Sequence, residues 1–448
     1  MAVLRSRRLE GLFGGNLDAV GAADIRALVD RQVSEAFDLD LKAELYGNGD
    51  KEKRDLASDV AAMANTAGGV IVLGVSEDGQ ARAAATPGVS VSDAEVARIR
   101  QIVAAGVSPL PQFDVIPVLD EHSAGRGFIL IAVPRSVLAP HAVLINDALR
   151  FPTRNGSTTR HLSEPEVAAA YRTRLGHAAE RGGRAERVES DVRDSLNRAE
   201  DPWIMVSLLP DLPGDLTIDT ASFGEFETAL RSMTAAPLEG GGIAFHDFGV
   251  GHERLRASDS MRVNMPPWGL ATDLHTDGTG VLAQRLFDVG NNARTMNGRP
   301  YCLLSDEAIA AALVWALQFL ATHAHDRAHA SGTATLRARV VPSTSRPTLA
   351  LGNDRHDLAA MIALPTLTSM EPVTTFAPIG DLLDGPGLIA AAARLHQAIG
   401  HAFGLPELHQ LTRDGYVVGP AWTRDRRLNI ERWAAANKVQ VRQTFAST

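Results

Sequence analysis

Hydrophobic positions in the first part of the chain switch between two periods, and each switch marks an element. Residues 23–33 place Ile25, Leu28 and Val29 on one face at helical spacing, whereas 37–42 alternate apolar and charged side chains, the period of a strand. A second helix is predicted over 51–64, where Leu56, Val60, Met63 and Ala64 recur at helical spacing behind Lys51, Lys53 and Arg54. Gly68 and Gly69 break it, and the apolar run 70–75 reads as a buried strand. Ser92 opens a helix to 105; strands follow at 113–119, 128–133 and 149–153, and a helix over 164–175 closes the region.

Residues 176–201 are polar and charged and read as a linker or an exposed helix. A second α/β region begins at 202, with a strand at 203–209, a long helix at 305–323, a strand at 334–341 and helices at 388–403 and 429–437. Ser305 is its expected N-cap, with Asp306 and Glu307 at the positive end of the helix dipole. The expected fold class is α/β (α+β): an N-terminal mixed sheet with helices over 1–175, a linker over 176–201, and a second α/β domain over 202–448. No internal repeat or low-complexity tract interrupts this pattern.

Composition narrows the picture. Hydrophobic residues make up 45% and charged residues 22%, the balance of a globular chain. With 44 basic against 53 acidic residues and a net charge of −9, a uniformly positive coat is excluded, so any affinity for nucleic acid must come from a local patch. The single cysteine, Cys302, permits no intramolecular disulfide and no Cys-based metal site, and its apolar neighbours predict a buried thiol. No apolar stretch follows the basic N-terminus, so no secretory leader is expected. The apolar run 308–317 is about half of what a membrane span needs. The expectation is a soluble cytoplasmic protein with no membrane partner.

The stretch most suggestive of chemistry is Ser34 to Lys42. On a strand, Asp38, Asp40 and Lys42 share the face opposite Phe37, Leu39 and Leu41. A carboxylate and a lysine on one face suit metal-assisted phosphodiester cleavage: the carboxylate holds a hard cation and the lysine steadies phosphate charge, with Glu35 near enough to add an oxygen. The plainer alternative is a solvated sheet face.

The segment Asp59 to Val75, with its Ala64-Asn65-Thr66-Ala67-Gly68-Gly69 element, follows the Glu35-(x4)-Asp40-x-Lys42 segment. Together they resemble the Schlafen AlbA-type (AlbA_2) domain, which is described as DNA-binding. Val133-Pro134-Arg135-Ser136, Pro140-His141 and Arg150 to Thr159 resemble the family's downstream half, so the resemblance covers residues 20 to 175 approximately. In nuclease members three carboxylates form the cleavage site. That implies Glu35 and Asp40 as the first two, Lys42 as the lysine, and Glu77 as the third, with Asp78 beside it. Asp and Leu stand here where the family has Glu and Phe.

The resemblance therefore implies a bacterial-type protein that binds nucleic acid, RNA or single-stranded regions included, through Lys42, Arg54, Arg135, Arg154 and Arg160. Its alternative is an endoribonuclease acting on tRNA- or rRNA-type substrates through Mg²⁺ or Mn²⁺ on Glu35, Asp40 and Glu77. A third reading is an interaction or sensor protein that has lost both activities. For Lys51, Lys53 and Arg54 a solvated helix face is an equal reading, and Asn65 and Thr66 read as a helix end and turn. Some relatives carry ATPase labels, but no phosphate-binding loop occurs here: the turns at Gly68-Gly69 and Gly240-Gly241-Gly242 lack the following lysine, so no ATP site is expected. His323, His325 and His329 read as a helix end before they read as metal ligands, and Asp273 to Gly280 as a turn. Trp203, Trp268, Trp315, Trp422 and Trp433 read as core. Residues 202–448 resemble no known family and are expected to sense a ligand, assemble a homo-oligomer or recognise a partner.

Overall fold

Strand Leu39–Lys42 and strand Gly68–Leu73 run parallel, with Asp40 beside Ile71 and Lys42 beside Leu73, and helix Asp50–Asn65 makes the crossover that parallel pairing requires. The computed structural model that shows this describes residues 4, 6–121, 125–145, 148–199, 201–233, 245–259, 269–287, 294–296, 299–352 and 366–445. Gly240 to Gly242 and Trp268 lie outside the described residues. The chain divides into two units, Met1–Arg181 and Gly182–Thr448.

In the first unit the sheet continues antiparallel from Gly68–Leu73 to Arg126–Pro134, which also pairs with Val89–Ser90 and Asp114–Leu119. The sheet is therefore mixed. Both of its faces are covered. Leu39, Leu41, Val70, Val72 and Leu130 pack under helices Arg7–Phe13 and Ala22–Asp30, and Ile71, Leu73, Ile129 and Ile131 pack against Leu56, Val60 and Met63 of the crossover helix. Residues 148–155, expected as one strand about 149–153, are two: Ala148–Arg150 pairs with Ala142–Ile145, and Pro152–Asn155 forms a hairpin with Thr158–His161.

The stretch expected as a linker or an exposed helix is helical to Ser195, as the last part of helix Glu164–Ser195. In the second unit Val188 and Val192 of that helix are buried with Trp203, Met205, Val281, Ala283 and Val341. Between them, buried Glu189 accepts from Ser207 Oγ at 2.6 Å and from Arg339 Nη2 at 2.9 Å. Polar composition suggested exposure; the countercharges on the sheet made burial affordable instead.

The second unit is built on a seven-stranded antiparallel sheet in the order Asp247–Gly251, Arg254–Ser258, Leu270–His275, Gly280–Arg285, Trp203–Leu212, Ser331–Val341 and Val373–Pro378. Helix Asp306–Thr322 is buried almost throughout, with Ser305 Oγ accepting from Ala308 N as its cap. It lies in one core with helix Gly385–Ala402 and the sheet. Among the described residues, the Asp306–Arg327 segment is long and apolar enough to cross a membrane, but most of it is buried inside this core. Cys302 is buried, as are Trp203, Trp315, Trp422 and Trp433.

Candidate nucleic-acid interface

Asp40 sits in the middle of the first unit's site and is only 2% exposed. Strand alternation turns it away from Leu39 and Leu41, toward the layer that holds the crossover helix, so water does not reach it. Two cations compensate the charge. Arg154 Nη1 lies 3.1 Å from Asp40 Oδ1, and Lys42 Nζ lies 2.7 Å from Oδ2. Arg154 also donates through Nη2 to Ala36 O, and its backbone N–H donates to Thr66 Oγ1 at 2.9 Å.

Glu35 is bent back on the strand: its Oε1 accepts the Leu41 N–H at 2.7 Å. Partial burial raises its pKa to about 7; the Leu41 hydrogen bond opposes the shift, and the charges of Asp40 and Glu77 add to it. Asp59, one face of the crossover helix, accepts from Tyr46 Oη at 2.7 Å, and burial followed by the Asp40 charge raises its pKa to about 6. Burial alone would lower the Lys42 ammonium, but Asp40, Asp59 and Glu35 outweigh it and hold its pKa above the usual lysine value. Asp59 and Tyr46 were not foreseen as site residues. The signal was available: Asp59 is a charge among Leu56, Val60 and Met63 on the helix's apolar side.

Glu35 lies within electrostatic reach of both Asp40 and Glu77, but the three carboxylates are engaged differently. Asp40 has a cation at each oxygen, Glu35 is committed to Leu41, and Glu77 is exposed on the short strand Ser76–Glu77. Asp78 is taken by its own turn, accepting from Gln80 and Arg82. Among the described residues no group of three or more His, Cys, Asp or Glu side chains is placed to hold a metal ion. Asp40 and Glu35 are thus engaged by protein groups, and no catalytic step is derived through a metal ion.

The basic residues separate into three groups. Arg154 cannot reach a phosphate, because its side chain is 2% exposed and pinned to Asp40; this corrects the expectation for that residue. Arg160 is exposed but grips Glu166 with both Nη atoms, at 2.9 and 2.7 Å. The side chains of Arg54, Arg135 and Arg150 have no ion-pair or hydrogen-bond partner among the described residues, and Arg135 and Arg150 are exposed. The last two flank the end of the crossover helix: Ser136 N–H donates to Ala64 O, and Asn65 Nδ2 donates to Pro152 O. Asn65 also closes on His141, donating to its carbonyl at 2.9 Å and accepting its N–H at 2.7 Å. Asn65 and Thr66 thus tie two loops to the helix end.

In the second unit His323 Nε2 lies 2.9 Å from His275 O, and His325 Nδ1 lies 2.6 Å from Asp326 Oδ1, inside a π-helical turn His323–Arg327. Burial first, with the nearby Arg327 and His275 opposing protonation, lowers His323 to about 3. Asp273 is buried against Arg254 and Arg256 on the neighbouring strand, a cross-strand ion pair.

The family model described as Schlafen, AlbA_2 matches residues 35–163. No curated protein matches the chain. Among solved structures, the DIP2311 protein of Corynebacterium diphtheriae is 21% identical over 32% of this chain and 30% of its own, with a TM-score of 0.22. The N-terminal domain of an ATP-dependent DNA helicase RecG-related protein from Nitrosomonas europaea is 20% identical over 26% of this chain and 73% of its own, with a TM-score of 0.20.

Proposed function

We propose that this chain, which carries a Schlafen AlbA_2 domain over residues 35–163, binds nucleic acid through its first unit. The observation that carries the reading is a set of cations with no carboxylate on them among the described residues: Arg54 on the crossover helix, and Arg135 and Arg150 in segments tied to its far end. In a chain of net charge −9, guanidinium groups without a carboxylate, on one helix and at its end, are what a phosphate backbone would meet. Lys42, 37% exposed and with its pKa held above the usual lysine value, is a further cation, shared with Asp40. Residues 202–448 would then regulate or assemble the binding unit.

The test is fluorescence anisotropy of the whole protein with labelled tRNA and DNA at low and physiological salt. Affinity is expected to fall steeply with salt, and replacing Arg54, Arg135 and Arg150 together by Ala should flatten the slope of log K against log salt by roughly 2 to 3. Absence of binding at low salt, or an unchanged slope in the triple variant, overturns the reading.

A further inference from the structure

Phe37 is 44% exposed, whereas Leu39 and Leu41, which follow it, are buried. The reason is local. Ala36 N–H donates to Leu39 O at 3.1 Å and Leu39 N–H to Ala36 O at 3.3 Å, so Phe37 and Asp38 form the tip of a tight turn leading into strand Leu39–Lys42. The turn is fixed from below, because Ala36 O also accepts from Arg154, the buried partner of Asp40. It is fixed from the side as well. Asp38 holds Arg8 through a 2.5 Å contact to Nη1, and the Arg8 guanidinium stands 5.9 Å from the Phe37 ring centroid.

The result is an aromatic ring and a guanidinium, both partly in solvent and both held in place before any ligand arrives. Such pairs stack bases: each base offers a π-face, and the guanidinium plane accepts it as readily as a ring does. A duplex hides those faces inside its own stack, so only an unpaired base can use them. The surrounding acids do not forbid the approach of a phosphate. Asp38 is paired with Arg8, and Asp40 with Lys42 and Arg154.

We infer that Phe37 and Arg8 form a stacking platform for an unpaired base, so that this site takes single-stranded nucleic acid. The inference rests on the function proposed above and names the form of its ligand.

The experiment compares the full chain with its Phe37→Ala and Phe37→Trp variants by anisotropy, using labelled oligo-dT, labelled oligo-rU and the same dT strand annealed to oligo-dA. The two single strands distinguish DNA from RNA as the source of the base. Wild type should prefer single strands to the duplex. Phe37→Ala should weaken single-strand binding by about tenfold while leaving the duplex unchanged. Phe37→Trp should keep the wild-type affinity and show emission, above that of the native tryptophans, that is quenched on binding. Equal melting temperatures of the three proteins establish that the fold is intact. The inference is overturned if Phe37→Ala stays within about twofold of wild type on single strands, or loses single strand and duplex alike. If wild type binds none of the probes at low salt, the proposed function itself fails, a result distinct from loss of the platform alone.

Discussion

A carboxylate on a strand can be dissolved in water or buried with countercharges, and Asp40 takes the second course. The alternation of residues 37–42 told which side it faces, but not that a helix and a hairpin cover that side. Once covered, the charge needs partners, and Lys42 and Arg154 supply them. Glu35 is the residue whose titration reports on this environment. Its folded pKa of about 7 lies above the ordinary value of 4.5, so the folded state holds the proton more tightly than the unfolded chain. Its contribution is fully present below about pH 4.5 and is lost as pH rises through about 7. Denaturant melts of wild type across that window should show stability falling with pH by more than in Glu35→Gln, and parallel curves would refute the shift.

At the scale of elements, the crossover helix and its double-glycine end carry most of the first unit's architecture. Periodicity made the helix legible, since Leu56, Val60 and Met63 lie on one face. The reason for the glycines became visible only in the packing. A Cβ on Gly69 would stand 2.5 Å from Met63 Sδ and 2.6 Å from Asp38 O, and Gly68 adopts φ +78° with the Arg135 backbone N at 2.6 Å from a Cβ. The helix end and the two parallel strands therefore approach within the space of a hydrogen atom. Gly69→Ala is expected to cost about 1–3 kcal/mol, read as a lower denaturation midpoint. The stretch 176–201 misled for a related reason: Glu189 is polar in sequence and buried in structure, because Ser207 and Arg339 wait for it on the sheet.

For the whole molecule, the buried side chains of the two units form separate clusters, two in each unit. Leu39, Val70 and Leu130 belong to one unit, and Leu313, Leu336 and Leu395 to the other. Calorimetric unfolding should accordingly resolve two transitions. Arg154→Met strands Asp40 without its buried partner and should destabilise the first unit by about 3–5 kcal/mol, lowering one transition and leaving the other in place. A single transition that moves as a whole would show the units to be thermodynamically one.

The sequence by itself determined the class of fold, the elements with one apolar face, the buried Cys302 and the family resemblance of residues 35–163, because periodicity, capping and local motifs act over short spans of chain. Tertiary structure decided the rest: that Arg154 answers Asp40 instead of a phosphate, that Asp59 joins the site from a neighbouring helix, and that the Arg135 and Arg150 side chains find no partner among the described residues. A charge's role is set by which opposite charge reaches it and by how much water remains, and residues 40 and 154 meet only when the chain has folded.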